Sequence, residues 1–348
     1  MDKNAKYAAV NTKIAAMCGK LLNEEDYKRM IALNSPSEIA VYLKNNTHYR
    51  EFFGDKDASV MHRNEIERIL KEGLITYVDK LINYFNGEYR SFIKGFYMKY
   101  EIIDLKRIAR LIYIEKDFDN LKDSLVYAGK YRYIDMDKAV KAKSIRELIY
   151  ALKGSIYYSF LEGLIDGRED ENLYRFEMTL DRAYFAHLED YVKKLDKNDQ
   201  RAFYNIMGSH IDMLNLQWIY RGKKYYRLSN EEIFNYTISR GLKFNLTDMK
   251  KFCYTRDLEE FISMAKTTVY SFMFKGDANQ DIFMERRMRR YLYFKYKSAQ
   301  RKMKLDLSML LVYLELIEYE TQDIISVIEN VRYRMDYDEA KKYLIKAI

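Results

Sequence analysis

The residue types that do chemistry are present in this 348-residue chain, but not at the spacings chemistry requires. Four histidines, His48, His62, His187 and His210, show no H-E-x-x-H spacing and stand beside no cysteine pair, so they do not read as a metal set. Gly19-Lys20 and Gly222-Lys223 are isolated pairs that lack the preceding glycine of a phosphate loop. No G-x-S-x-G elbow occurs, and neither Cys18 nor Cys253 has a histidine nearby in sequence. The abundant carboxylates fall on helix starts and charged faces, where capping and i,i+4 pairing account for them. The expectation is a chain with no catalytic residue, no metal ligand and no cofactor.

Binding chemistry is more visible. Between 286 and 304 the cations Arg286, Arg287, Arg289, Arg290, Lys295, Lys297, Arg301, Lys302 and Lys304 meet no acid and alternate with aromatic residues. This basic helix fits three readings: a solvated face, a contact for an acidic protein partner, or a nucleic-acid or lipid contact. For partner contact the candidates are Arg286, Arg287, Arg289, Arg290, Lys295 and Lys297. A net charge of only +8 argues against nucleic acid as the main ligand. Thirty-four tyrosines and eighteen phenylalanines supply packing area, and they also suit a broad protein interface.

The elements that must position these groups are helices. One proline and thirteen glycines leave few residues to break a helix, which predicts an all-α fold with short links. Apolar residues recur every three or four positions at Ile66, Leu70, Leu74, Val78, Leu81 and Phe85, and again at Leu307, Leu311, Leu314 and Ile317.

A long internal repeat organises the helices. Capping boxes open three similar stretches, at Ser35/Glu38 with Pro36 in the first helical position, Ser144/Glu147 and Asp257/Glu260. Each stretch continues with a lysine (Lys44, Lys153, Lys266), a small hydroxyl residue (Thr47, Ser155, Thr268) and a tyrosine two further on (Tyr49, Tyr157, Tyr270). A second landmark is Glu67, Glu177 and Glu285; a third is Asp104, Asp212 and Asp323. All three sets repeat at 108 to 113 residues. That predicts three similar helical domains, 1–116, 117–228 and 229–348, with edges at the turn-like DFDN and RLSNEE segments. A unit this long favours domains over a solenoid of short repeats.

Two well-separated cysteines suit a reducing compartment, and lysines 3, 6 and 13 interrupt any signal-peptide-like apolar run, so no export signal is expected. The most apolar stretch, LDLSMLLVYLELIEY, is broken by Asp306, Glu315 and Glu318, too soon for the roughly 20 apolar residues of a membrane span.

The segment LQWIYRGKKYYRLSNEEI at 216–233 carries an aromatic-Arg-x-Lys-Tyr-Tyr run through Trp218, Tyr220, Arg221, Lys224, Tyr225 and Tyr226. It resembles the C subunit of vacuolar/archaeal-type ATPases, equivalent to the eukaryotic d subunit. KYAAVNTKIAAMCGKLLNEEDYKRMI is similar to that family's opening helix, and LELIEYETQDIISVIENVRY to its closing one. Asp323 and Ile325 depart from the Asn and the basic residue frequent there. The resemblance implies a pseudo-three-fold funnel of three helical domains, peripheral on the cytoplasmic face of the membrane. Its partners would be the central-stalk rotor subunits and the proteolipid ring, with no nucleic acid, and its role coupling of proton or sodium transport without catalysis. The competing expectation is a helical adaptor or nucleic-acid-binding protein built on 286–304.

Overall fold

The computed structural model describes residues 3–114, 125, 131–165, 172–275 and 282–346. Among these it is all-α, with seventeen α-helices and no strand. In chain order they are α1 (Lys3–Cys18), α2 (Glu24–Ile31), α3 (Pro36–Asn46), α4 (Arg50–Phe53), α5 (Arg63–Ile82), α6 (Gly87–Tyr113), α7 (Met136–Ala139), α8 (Ile145–Ala151) and α9 (Tyr158–Leu161). They continue with α10 (Asn172–Lys193), α11 (Lys197–Lys224), α12 (Asn230–Tyr236), α13 (Leu246–Cys253), α14 (Leu258–Lys266), α15 (Ile282–Arg301), α16 (Ser308–Arg332) and α17 (Tyr337–Tyr343).

The chain divides into two compact units: residues 1–74 with 196–348, and residues 75–195. In the second unit α6 lies along α10, and the short helices α8 and α9 pack on them. In the first, α15 and α16 form a hairpin joined by α11. The N-terminal helices α1, α2 and α3 pack on α16, while α12, α13 and α14 pack against α11.

The most apolar stretch of the sequence becomes α16. Met309, Leu310, Leu311, Val312, Leu314, Leu316 and Ile317 are all buried, so this helix is apolar on nearly every face because it is the centre of its unit. No described helix is long and apolar enough to cross a membrane.

Local chemistry sets the helix starts. The Ser35 and Ser144 hydroxyls and the Asp257 carboxylate accept the Glu38, Glu147 and Glu260 N–H groups at 3.2, 3.1 and 2.8 Å. The returning arm of the expected capping box lands one residue earlier. Glu38, Glu147 and Glu260 accept from the N–H groups of Asn34, Lys143 and Arg256 at 3.0, 2.9 and 2.6 Å, not from the cap residue itself. Reciprocal boxes do occur at Asn23/Asp26, Ser229/Glu232 and Asn245/Asp248. The DFDN edge lies outside the described residues, whereas RLSNEE is where α11 gives way to the Ser229 cap of α12.

Candidate functional site

The repeated hydroxyl residue and tyrosine form one device. The Thr47, Ser155 and Thr268 hydroxyls accept the N–H of Tyr49, Tyr157 and Tyr270 at 3.2, 3.2 and 3.1 Å, a side-chain turn that places each tyrosine at the start of the next short helix. All three tyrosines are fully buried. Each hydroxyl then donates to a buried carboxylate on a long helix. Tyr157 reaches Glu101 of α6 at 2.7 Å, Tyr270 reaches Asp212 of α11 at 2.8 Å, and Tyr49 reaches Glu320 of α16 at 3.1 Å.

The same carboxylates hold non-helical backbone. Glu101 accepts the Tyr133 N–H at 2.9 Å and that of Ile134. Asp212 accepts from Leu242, Lys243 and Phe244 at 3.1, 2.8 and 3.3 Å, and Glu320 from Leu22 at 2.7 Å. Tyr131 and Arg240, each two residues before the first amide donor of its segment, take positive φ of 74° and 61° to turn the amides toward the acid. Gly241 sits so close that a Cβ there would lie 1.7 Å from Asp212 Oδ1.

Two positions three residues apart share this work. Glu101 and Asp104, Ser209 and Asp212, and Glu320 and Asp323 occupy successive turns of α6, α11 and α16. Where Ser209 replaces the glutamate, the aspartate takes the tyrosine. On α16 both acids act: Asp323 accepts the Ile345 and Lys346 N–H groups at 2.6 and 2.9 Å. Burial pushes Glu101, Glu320 and Asp323 up to about 7, and it raises Asp212, against the lowering effect of the hydrogen bonds they accept. The sequence landmarks included the aspartates and missed Glu101 and Glu320; the signal was an acid three residues before the landmark within an apolar run.

Glu177 and Glu285 face arginines spaced like themselves. Arg110 grips Glu177 with Nε at 2.5 Å and Nη2 at 3.0 Å, and Arg221 lies 4.0 Å from Glu285. Glu67 accepts from Arg63 at 2.6 Å, and Arg63 also pairs with Glu329.

The basic helix α15 divides its cations among internal acceptors. Arg287 donates to the Met273 carbonyl at 2.9 Å, Arg286 to the Leu344 carbonyl at 3.5 Å, Arg289 to Glu285, Lys295 to Ser209 at 2.6 Å and Lys297 to Gln300 at 2.7 Å. Burial pushes Lys295 down to about 8. Arg290 is half-buried, whereas Arg301, Lys302 and Lys304 are exposed. Of the aromatic run at the end of α11, Trp218 and Tyr220 are buried within the helix, while Tyr225 and Tyr226 just past it are exposed. Lys224 donates to the Tyr220 hydroxyl at 2.8 Å and lies over the Tyr225 ring.

A buried network of this kind fixes helices against the links that cross them. The ATP synthase (C/AC39) subunit family matches the sequence over residues 10–343. The chain belongs to that family. The resemblance to the C subunit of vacuolar/archaeal-type ATPases read from the sequence therefore holds. The chain is similar to the C subunit of the A-type ATP synthase of Methanosarcina mazei, 26% identical over 295 residues, covering 83% of this chain and 78% of the relative. It is similar also to the C subunit from Methanosarcina barkeri, 25% identical over 291 residues (82% and 78%). That of Methanosphaera stadtmanae is 24% identical over 265 residues (76% and 66%). Membership places the chain among structural subunits of an ATP synthase.

Proposed function

We propose that the chain is the central-stalk socket of a rotary ATPase, coupling the soluble rotor shaft to the membrane proteolipid ring on the cytoplasmic face. In this reading the domains 1–116, 117–228 and 229–348 form a pseudo-three-fold funnel that performs no chemistry and passes torque in proton or sodium transport. One observation carries it: the tyrosine–carboxylate anchor recurs three times at the spacing of the sequence repeat. A torque-bearing part must not shear internally, and close-packed helices pinned by buried hydrogen bonds meet that need because such interiors are poorly compressible. The partners are other subunits of the complex, and the contacts of a permanent rotor fall in the class of roughly 2,000 Å² or larger.

The test compares ATP hydrolysis and ion uptake in vesicles carrying the complex with and without this chain. Hydrolysis by the soluble head should persist while hydrolysis-driven transport is lost. Full transport in its absence would refute the assignment.

A further inference from the structure

Helices α11 and α15 run antiparallel, since Arg221 meets Glu285 at one end and Lys295 meets Ser209 midway. Beyond Ser209, the first turns of α11, the last turns of α15, the connection 302–307 and Ser308 at the start of α16 border a groove of about 900 Å³. From Tyr291 to Lys302 the helix alone gives it a length of about 17 Å, room for roughly three turns of another helix.

The groove sets two exposed apolar side chains within a cationic rim, and Asn198, Asn205 and Ser298 line it as well. Ala202 and Ile206 lie buried beneath it, and Phe294 and Leu305 project there 53% and 47% exposed. Arg201, Lys302 and Lys304 stand around them, and among the described residues none of these three side chains has an acceptor. The lining acid Asp306 already accepts the Ser308 N–H at 2.9 Å. The rim is also preorganised. Asn11 Nδ2 donates to the Lys304 carbonyl at 2.9 Å, and the Leu307 N–H donates to Asp199 at 3.1 Å, holding the 302–307 connection in place.

We propose that this groove receives an acidic amphipathic helix of a partner protein, its apolar stripe on Phe294 and Leu305 and its carboxylates on Arg201, Lys302 and Lys304. Charge selects the occupant: three cations with no acceptor among the described residues flank two exposed apolar side chains, which suits a helix with an apolar face and flanking glutamates. The groove would take such a helix whether or not the chain serves as the rotor socket.

The probe is a fluorescently labelled, capped helical peptide with leucines at i, i+3, i+4 and i+7 and glutamates on both flanks, titrated with the full-length protein by anisotropy. Saturable binding that weakens with salt is expected. So is a loss of about tenfold or more both in the K302E/K304E double variant and in Phe294→Ser. A matched peptide with lysines in place of the glutamates should not bind. Absence of saturable binding, equal affinity for the lysine peptide, or unchanged affinity in both variants would overturn it. It would equally be overturned if K302E/K304E abolished binding of a duplex DNA oligomer or anionic phosphatidylserine vesicles while the acidic peptide bound as before.

Discussion

Tyr49, Tyr157 and Tyr270 each carry a hydroxyl into a place closed to solvent, and the acid that receives it is buried as well. Removing the hydroxyl strands part of a carboxylate, so Tyr157→Phe should cost on the order of 1–3 kcal/mol by urea denaturation. A loss within error would show that the hydroxyl adds nothing to stability. These acids also tie stability to pH. Glu101 titrates near 7 in the folded chain, and an unfolded glutamate at about 4.3. Between those values the folded state holds the extra proton, so its contribution is full below about 4.3 and is lost as pH rises toward 7. The wild-type denaturation midpoint should therefore fall from pH 5 to pH 7.5 more steeply than that of Glu101→Gln, with a difference of roughly 1–3 kcal/mol. Parallel profiles would contradict the buried protonated acid. Glu320 and Asp323 act in the same direction, but they share one site and titrate as a pair.

Helices here start where a side chain stops the backbone from fraying. The Ser35, Ser144 and Asp257 caps each satisfy one orphan N–H, and replacing any of them by Ala should cost about 1 kcal/mol of stability. Because the following glutamate bonds the residue before the cap, it stabilises the incoming link as well as the first turn. The link after α12 is tighter still. Gly241→Ala would drive a methyl into Asp212, and its neighbour Leu242 gives its N–H to both the Gly208 carbonyl and that acid. The expected destabilisation is on the order of 1–3 kcal/mol, with loss of amide protection at 242–244 in hydrogen exchange. Unchanged protection would mean the link can move aside.

The whole chain is arranged so that its two ends belong to one unit. Tyr49 of the N-terminal third bonds Glu320 near the C-terminus, and Lys346 reaches the Leu22 carbonyl. A lesion there should therefore stay local to that unit. Glu320→Gln is expected to raise hydrogen exchange in α1, α2, α3 and α16 while leaving α6 and α10 as protected as in wild type. Uniform loss of protection across both units would show that the chain unfolds as one cooperative body. The basic helix also reads differently at this scale. Its charges look like one surface in the sequence, but five of the six candidate contact residues are held by acceptors within the chain.

Helical class and the Ser35, Ser144 and Asp257 caps are legible in the residues because they depend on neighbours within a few positions, and the 108-to-113-residue spacing is legible because the same local pattern recurs. Which acid each tyrosine meets depends on how distant helices pack. The partners lie 56, 58 and 271 residues away, and a glutamate such as Glu101 in an apolar helical run looks like any solvated one until burial is known. The groove was equally illegible. Arg201 comes from α11, and Lys302 and Lys304 follow α15, and only antiparallel packing of the two helices gathers those cations around Phe294 and Leu305. Periodicity records the face a helix buries, whereas long-range pairing depends on how faces are brought together, and no local pattern encodes that.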